Sequence, residues 1–278
     1  MKPDWLIPDW PAPAGVGAVF TSRHGGVSSA PFDSLNLGDH VGDAPDKVAA
    51  NRAVLQSAIG SRPVFLKQVH GNQVLALDST TADGDVADAC VTSHRQLACT
   101  IMVADCLPVL LTTEDGSVVA AAHAGWRGLA GAGTGVGERS GKGVLESVYE
   151  SFRTLAQVKR APSAMKIIAW LGPCIGPSAF EVGAEVKTAF ELTHPEASRF
   201  FVPAGPDKYR ADLAGLARLR LNALGVTDIY GNDGSPAWCT VSNPSRFFSH
   251  RRDAAVAGSA TGNGFGTTGR MAAVIWRI

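Results

Sequence analysis

Two residues on either side of a short apolar hairpin, Cys106 and His123, are the first in this chain whose types and spacing could do chemistry. A turn centred on Glu114-Asp115 sets them directly opposite one another, and one centred on Asp115-Gly116 makes them diagonal neighbours. Both registers leave thiol and imidazole on one face. His70, in FLKQVHGNQV, ends a β-like run before Gly71 and is the third candidate. A thiolate with two imidazoles suits Zn²⁺, and three protein ligands with one open position form the catalytic arrangement. The same pair also fits a cysteine nucleophile activated by a histidine. Each residue taken alone has a plainer reading, as an inert buried thiol or a hydrogen-bonded strand-end imidazole. Gly125 and Gly128 flank Trp126-Arg127 and imply a tight loop that something approaches closely. The other histidines, His24, His40, His94, His194 and His250, show no ligand spacing, and no HxH or HxxxH occurs.

The elements that must position these groups are short and mixed. The pattern predicts strands at Ala18–Thr21, Val64–Val69 and Val74–Asp78. It predicts a strand before a break at Ala104–Cys106, then strands over Leu107–Thr113 and Ser117–His123, followed by a Gly-flanked loop. Further strands are expected at Ala164–Leu171 and Met271–Trp276. Helices are expected at Ala44–Ile59, Val144–Val158, Ala184–Leu192 and Leu213–Leu224. In the first of these Val48, Leu55 and Ile59 share a face, Asp43 is the expected N-cap and Gly60 the stop. The order lacks regular βαβ alternation, which favours an α+β class. Residues 1–16 read as an irregular, Pro-rich lead-in and 17–278 as one domain.

The chain has 278 residues, 45% of them hydrophobic and 18% charged, enough to bury a large core. With 25 basic and 25 acidic side chains it lacks the cationic excess that phosphate-backbone binding requires, so no nucleic-acid partner is expected. The basic clusters Arg218 to Arg220 and His250-Arg251-Arg252 are short and separate. No apolar run of membrane-spanning length occurs, and the N-terminus carries Asp4, Asp9 and four prolines where a signal peptide needs an apolar stretch. A cytoplasmic protein without a membrane partner is therefore expected. Its five cysteines, Cys90, Cys99, Cys106, Cys174 and Cys239, are odd in number and form no CxxC, which favours reduced thiols. Two Gly-rich segments, Gly131–Gly143 and Ala254–Gly269, fail both the Walker A and the GxGxxG spacing and read as loops.

The blocks TSRHGGVSSAPFDSLNLGDHVGD, Asn51-Arg52, FLKQVHG, ADCLPVLL, HAGWRG, GPCIGPSAFEVG, RFFSHRRD and TGR occur in that order from Thr21 to Arg270. Together they resemble the YfiH family, also called the multicopper polyphenol oxidase or laccase-domain family. The resemblance implies a single-domain, layered α/β/β/α sandwich of mixed sheets. It also implies a Zn²⁺ site on His70, Cys106 and His123, with copper possible by the family label. Its implied activities are phosphorolysis of adenosine, inosine, guanosine and methylthioadenosine, and deamination of adenosine, so that purine nucleoside and phosphate would be the partners. Some members are linked instead to editing of cytoplasmic peptidoglycan precursors, for which Cys106 would serve a Cys-His amidase as nucleophile. A polyphenol oxidase fits poorly, because multicopper sites need HxH pairs. For substrate binding, Arg23 is the phosphate candidate through bidentate guanidinium contact, with Arg127 second. Gln68 shares the face of His70 and could orient substrate, and Asp105 supports the site or makes the turn before Pro108. The two Gly-rich segments are insertions relative to the family pattern.

Overall fold

Most strand segments here are apolar on both faces, which calls for sheets covered on each side. The computed structural model describes residues 4–131, 141–157, 166–253 and 267–278. Most of both Gly-rich segments, and the expected ends at Val158 and Ala164, lie outside the described residues. The strands are β1 (Val16–Phe20), β2 (Arg62–Phe65), β3 (Val74–Ala76), β4 (Ala89–Thr92), β5 (Leu97–Val103), β6 (Leu107–Thr113) and β7 (Val119–Ala124). They continue with β8 (Ile167–Leu171), β9 (Glu181–Gly183), β10 (Phe201–Gly205), β11 (Lys208–Ala211), β12 (Asp228–Gly231) and β13 (Met271–Arg277). The helices are α1 (Pro45–Ile59), α2 (Trp126–Ala130), α3 (Val144–Gln157), α4 (Ala184–Glu191) and α5 (Leu213–Ala223).

Two sheets stack face to face. One has the order β1-β13-β5-β2, the other β12-β8-β6-β7-β4-β3, and a small third sheet runs β10-β11-β9. The two-residue alternation of side chains shows which face meets what. On β5, Cys99, Ile101 and Val103 turn inward to meet Leu110 of β6 and Ala121 of β7. Ala98 and Met102 turn outward under Leu55 and Ile59 of α1. Leu107, Val109 and Leu111 of β6 turn away from the sandwich and pack under Val148 and Phe152 of α3. The order α/β/β/α follows, in a single-domain α+β fold. No helix among the described residues is long and apolar enough to cross a membrane.

Helix α1 buries Val48, Asn51, Leu55 and Ile59 and stops at Gly60, which takes a left-handed φ of 67°. Its N-terminus corrects one expectation. Ala44, not Asp43, is the N-cap and no side chain caps it, because the Asp43 carboxylate is held by the hydroxyl of Ser28 at 2.6 Å and the amide of Asn36 at 2.9 Å. Buried Asn51 ties the long 22–44 loop down: it accepts from Val27 N and donates to Ser28 Oγ, Ser34 O and Asn36 O. Asn51→Ala strands these partners and is expected to lower stability by about 2–4 kcal/mol, read by denaturant unfolding.

The structure adds β4, β9, β10, β11, β12 and α2 to the elements expected from sequence, and shortens the run at Val64–Val69 to end at Phe65. Beyond Phe65 only an isolated bridge, Lys67 to Val86, continues the pairing.

Candidate metal centre

The β6–β7 register pairs Leu107 with Ala124 and Pro108 with His123, so Cys106, one residue before β6, is the diagonal neighbour of His123. This is the register of the later of the two turns considered, and Gly116 supplies its left-handed residue at φ 69°. His123 shares the strand face of Val119 and Ala121, which points inward between the sheets. Cys106 packs against the same cluster.

A break places the thiol. Asp105 has φ 92°, a conformation that ends β5 before β6 begins. Its carboxylate accepts from Thr240 Oγ1 and from Arg251 N, both at 2.6 Å, and its carbonyl accepts from Ile175 N at 2.9 Å. Asp105 therefore clamps two distant loops to the break and aims Cys106.

His70 also has a positive φ, 62°. Asp88, fully buried just before β4, holds that turn by accepting from Val69 N at 3.2 Å, His70 N at 2.9 Å and Gly71 N at 2.7 Å. The same carboxylate lies 2.8 Å from His123 Nδ1. With Nδ1–H donating to Asp88, the Nε2 lone pair of His123 faces the other two candidates. One carboxylate thus orders two of the three. Sequence reasoning missed it because β4 went unread; the signal was that pairing β4 with β7 sets Asp88 opposite His123, an adjacency sealed by the bond from His123 N to Asp88 O at 2.7 Å.

Among the described residues, His70, Cys106 and His123 form the group able to hold a metal, with ligand atoms all within 4.8 Å of one another. Cys106 Sγ is 3.7 Å from His70 Nε2, and the two imidazoles meet edge to face at 4.8 Å between centroids. Tetrahedral zinc with ordinary Zn–S and Zn–N bonds sets such S and N atoms about 3.5 Å apart. The spacing fits. His123 is buried, Cys106 half-buried and His70 exposed, so the outer side of the trio is open. Burial opposes ionisation of Cys106, yet the neighbouring imidazoles, His123 above all, bring the thiol down to about 6. Burial likewise opposes the charged form of His123, but Cys106 and Asp88 raise it to about 9. The favoured metal-free state is a thiolate–imidazolium pair backed by a carboxylate.

The glycines of HAGWRG have specific reasons. A Cβ on Gly125 would lie 2.8 Å from His70 Cδ2 and 3.2 Å from Cys106 Sγ, and one on Gly128 would lie 2.5 Å from Gly71 O. What approaches this loop closely is the His70 turn and the thiol. The trio opens on a cavity of about 300 Å³. Met102, Trp126, Ile175, Phe180 and Leu213 give it an apolar wall, with Arg251 and Arg270 also on its lining.

The structure does not bring every candidate here. Arg23 lies outside the lining: it donates to Asp33 O and Pro244 O, pairs with the Asp33 carboxylate at 3.3 Å and stacks on Phe248. Arg127 is exposed on α2 and stacks on Trp126 at 4.4 Å, also outside the lining. Gln68 does reach the cavity, but both ends of its amide bond the backbone of Met102 at 2.8 Å. The remaining cysteines, Cys90, Cys99, Cys174 and Cys239, are buried and away from the trio.

A two-sheet α+β sandwich with a histidine–cysteine–histidine centre at its edge defines the class of protein. Residues 17–278 match the family described as multi-copper polyphenol oxidoreductase laccase. The chain belongs to that family. It is 45% identical over 273 residues to a purine nucleoside phosphorylase of Pseudomonas aeruginosa, covering 98% of each chain. It is also 45% identical over 275 residues to the purine nucleoside phosphorylase YfiH of Escherichia coli, with 98% of each covered. Among solved structures, a Neisseria meningitidis protein superposes with a TM-score of 0.81 at 43% identity, covering 99% of both chains. YlmD of Geobacillus stearothermophilus gives 0.79 at 31% identity, covering 98% of this chain and 96% of its own.

Proposed function

We propose that this protein is a zinc-dependent purine nucleoside phosphorylase that also deaminates adenosine. The observation that carries the reading is the convergence of His70, Cys106 and His123, with ligand atoms within 4.8 Å of one another, beside an apolar cavity, in a chain 45% identical to proteins named purine nucleoside phosphorylase. The thiolate and two imidazoles fit zinc, and copper, which the family description suggests, is the competing occupant. Zinc held there supplies Lewis acidity beside the substrate.

The chain's own groups do the rest. Asp88 holds His123 in the tautomer that presents Nε2 and keeps the His70 turn in place. Trp126, Phe180 and Met102 offer flat and polarizable surface to a purine. In phosphorolysis a phosphate oxygen bonds to the ribose C1′ while the C1′–N9 bond breaks. The electron pair leaves with the purine, and the phosphate proton ends on a purine nitrogen. In deamination water adds at C6 and the amino group leaves as ammonia. The reading places this chemistry in the cytoplasm, where free thiols persist. Its direct test incubates the zinc-loaded protein with adenosine, inosine, guanosine or methylthioadenosine, with and without phosphate, and follows base, ribose 1-phosphate and ammonia. Phosphate-dependent release of base supports the reading, and no release from any of them removes it.

A second reading, a Cys-His amidase acting on peptidoglycan precursors, is favoured by the Asp88–His123 bond behind an acidified thiol. Alkylation separates the two. Because the Cys106 thiol is lowered, its thiolate persists below the ordinary thiol range and is lost only as pH falls through about 6. In metal-free protein, iodoacetamide is expected to modify Cys106 at a rate that rises through pH 6 and levels above about pH 7. Zinc should protect it. A rate that keeps climbing to pH 9 would contradict the pairing, and rapid alkylation of metal-saturated protein would favour the amidase.

A further inference from the structure

The cavity beside the metal candidates is lined by two unlike kinds of residue. Its apolar residues suit a purine, but its two arginines are unexplained by that role. Arg270, half-buried next to Gly38, donates from Nη1 to the carbonyls of Thr268 and Gly269 just before it, at 2.8 and 3.3 Å. The Arg251 guanidinium donates to the carbonyls of Ala179 and Glu181, at 3.4 and 3.2 Å, and lies over the Phe180 ring at 5.9 Å. Four other arginines have carboxylate partners: Arg23 has Asp33, Arg52 has Asp39, Arg220 has Glu146 and Arg252 has Asp253. Arg62, Arg218 and Arg277 rest on backbone carbonyls but lie outside this cavity's lining. Among the described residues, Arg251 and Arg270 have none within ion-pair distance.

The anionic groups that face Arg270 are Asp105 and Cys106. Both oxygens of Asp105 are already engaged, by Thr240 and by Arg251 N. Cys106 belongs to the metal trio, where a cation would neutralise it. Both guanidiniums line one cavity, and among the described residues only backbone carbonyls accept their hydrogen bonds. The half-buried Arg270 in particular lacks the opposite charge that makes a sequestered cation tolerable. A guanidinium also matches a phosphate edge in paired N–H to O contacts.

We infer that Arg270 and Arg251 form the phosphate subsite of the cavity, next to its apolar residues and to the His70–Cys106–His123 centre. This rests on the phosphorolysis reading for its catalytic meaning. The subsite replaces Arg23 and Arg127, whose guanidiniums lie outside the lining. Phosphate held there has an oxygen available for C1′ of a nucleoside whose base lies on the apolar wall, and the C1′–N9 electron pair leaves with the base.

The test uses the metal-loaded full chain with inorganic phosphate as probe. Steady-state phosphorolysis of inosine is measured against phosphate for wild type, Arg270→Gln, Arg270→Lys, Arg251→Gln and, as an exposed control on α3, Arg153→Gln. The expected result is a KM for phosphate raised about tenfold or more in Arg270→Gln and by a smaller factor in Arg251→Gln, with the KM for inosine moving less than about threefold. Arg270→Lys should recover part of the loss, and Arg153→Gln should match wild type. An unchanged phosphate KM in both glutamine variants, at wild-type metal content, overturns the subsite. Should Arg270→Gln fail to fold, the exposed Arg251→Gln decides. Calorimetric titration with phosphate keeps the two ideas apart. Phosphate binding that Arg270→Gln abolishes supports the subsite even if wild type cleaves no nucleoside, an outcome that would remove the phosphorylase reading alone. Wild type that neither binds phosphate nor depends on it kinetically overturns the subsite.

Discussion

Asp88→Asn is expected to cost about 10- to 100-fold in metal affinity, with a parallel loss of activity, although the change alters a single atom. Oδ1 accepts from His70 N and lies against His123 Nδ1, while Oδ2 accepts from Val69 N and Gly71 N. Every neighbour is a donor. An asparagine NH₂ must therefore face at least one N–H, whichever way the amide turns. If it faces His123, Nδ1 becomes an acceptor and the proton moves to Nε2, which can no longer bind metal. If it faces Gly71, the His70 turn opens. Asp88→Ala goes further, leaving three backbone N–H groups without their acceptor, and should also lower stability by about 3–5 kcal/mol. The measurements are zinc affinity by competition with a chromogenic chelator and unfolding in denaturant. Asp88→Asn with unchanged affinity would show that the carboxylate does not order the centre.

Gly125→Ala is expected to lose about 100-fold or more in activity while leaving the fold nearly as stable as before. Gly125 has φ −65° and ψ 155°, which alanine adopts without strain, so the backbone conformation is not the difficulty. The added methyl would lie 2.8 Å from His70 Cδ2 and 3.2 Å from Cys106 Sγ. Two of three candidate ligands must move apart to admit it, and displacement by a fraction of a bond length is enough to spoil a metal site. Metal content after dialysis against zinc, together with turnover of inosine, reads the effect. Wild-type metal content in Gly125→Ala would mean that the His70 turn yields more easily than this packing implies.

What could be read from sequence was what local spacing controls. Cys106 and His123 sit on one hairpin, so alternation and turn length were enough to put them on one face, and both plausible turns agreed on that. The helix face of Val48, Leu55 and Ile59 and the stop at Gly60 are likewise local. What stayed hidden depends on partners far along the chain. Arg23 looked like an anion binder beside two glycines, but its bond to Pro244 O spans 221 residues and no local pattern announces it. Asp43 looked like an N-cap, but Ser28 and Asn36 hold its carboxylate across the loop. Asp88 precedes a strand of four residues buried on both faces, too short and too uniformly buried to show alternation. Arg251 and Arg270 were noticed only as a short basic cluster and as the end of TGR, because the cavity that gives them meaning is assembled from segments spread from His40 to Arg270.

The central claim is that the His70–Cys106–His123 centre carries purine nucleoside phosphorolysis. Its most direct test compares zinc-loaded wild type with Cys106→Ala in one assay of inosine with phosphate, quantifying hypoxanthine and ribose 1-phosphate. The expected result is equimolar release of both products by wild type, absent without phosphate, and a fall of at least about a thousandfold in Cys106→Ala with its bound zinc lost. Turnover by Cys106→Ala at the wild-type rate, or none by wild type, would contradict it.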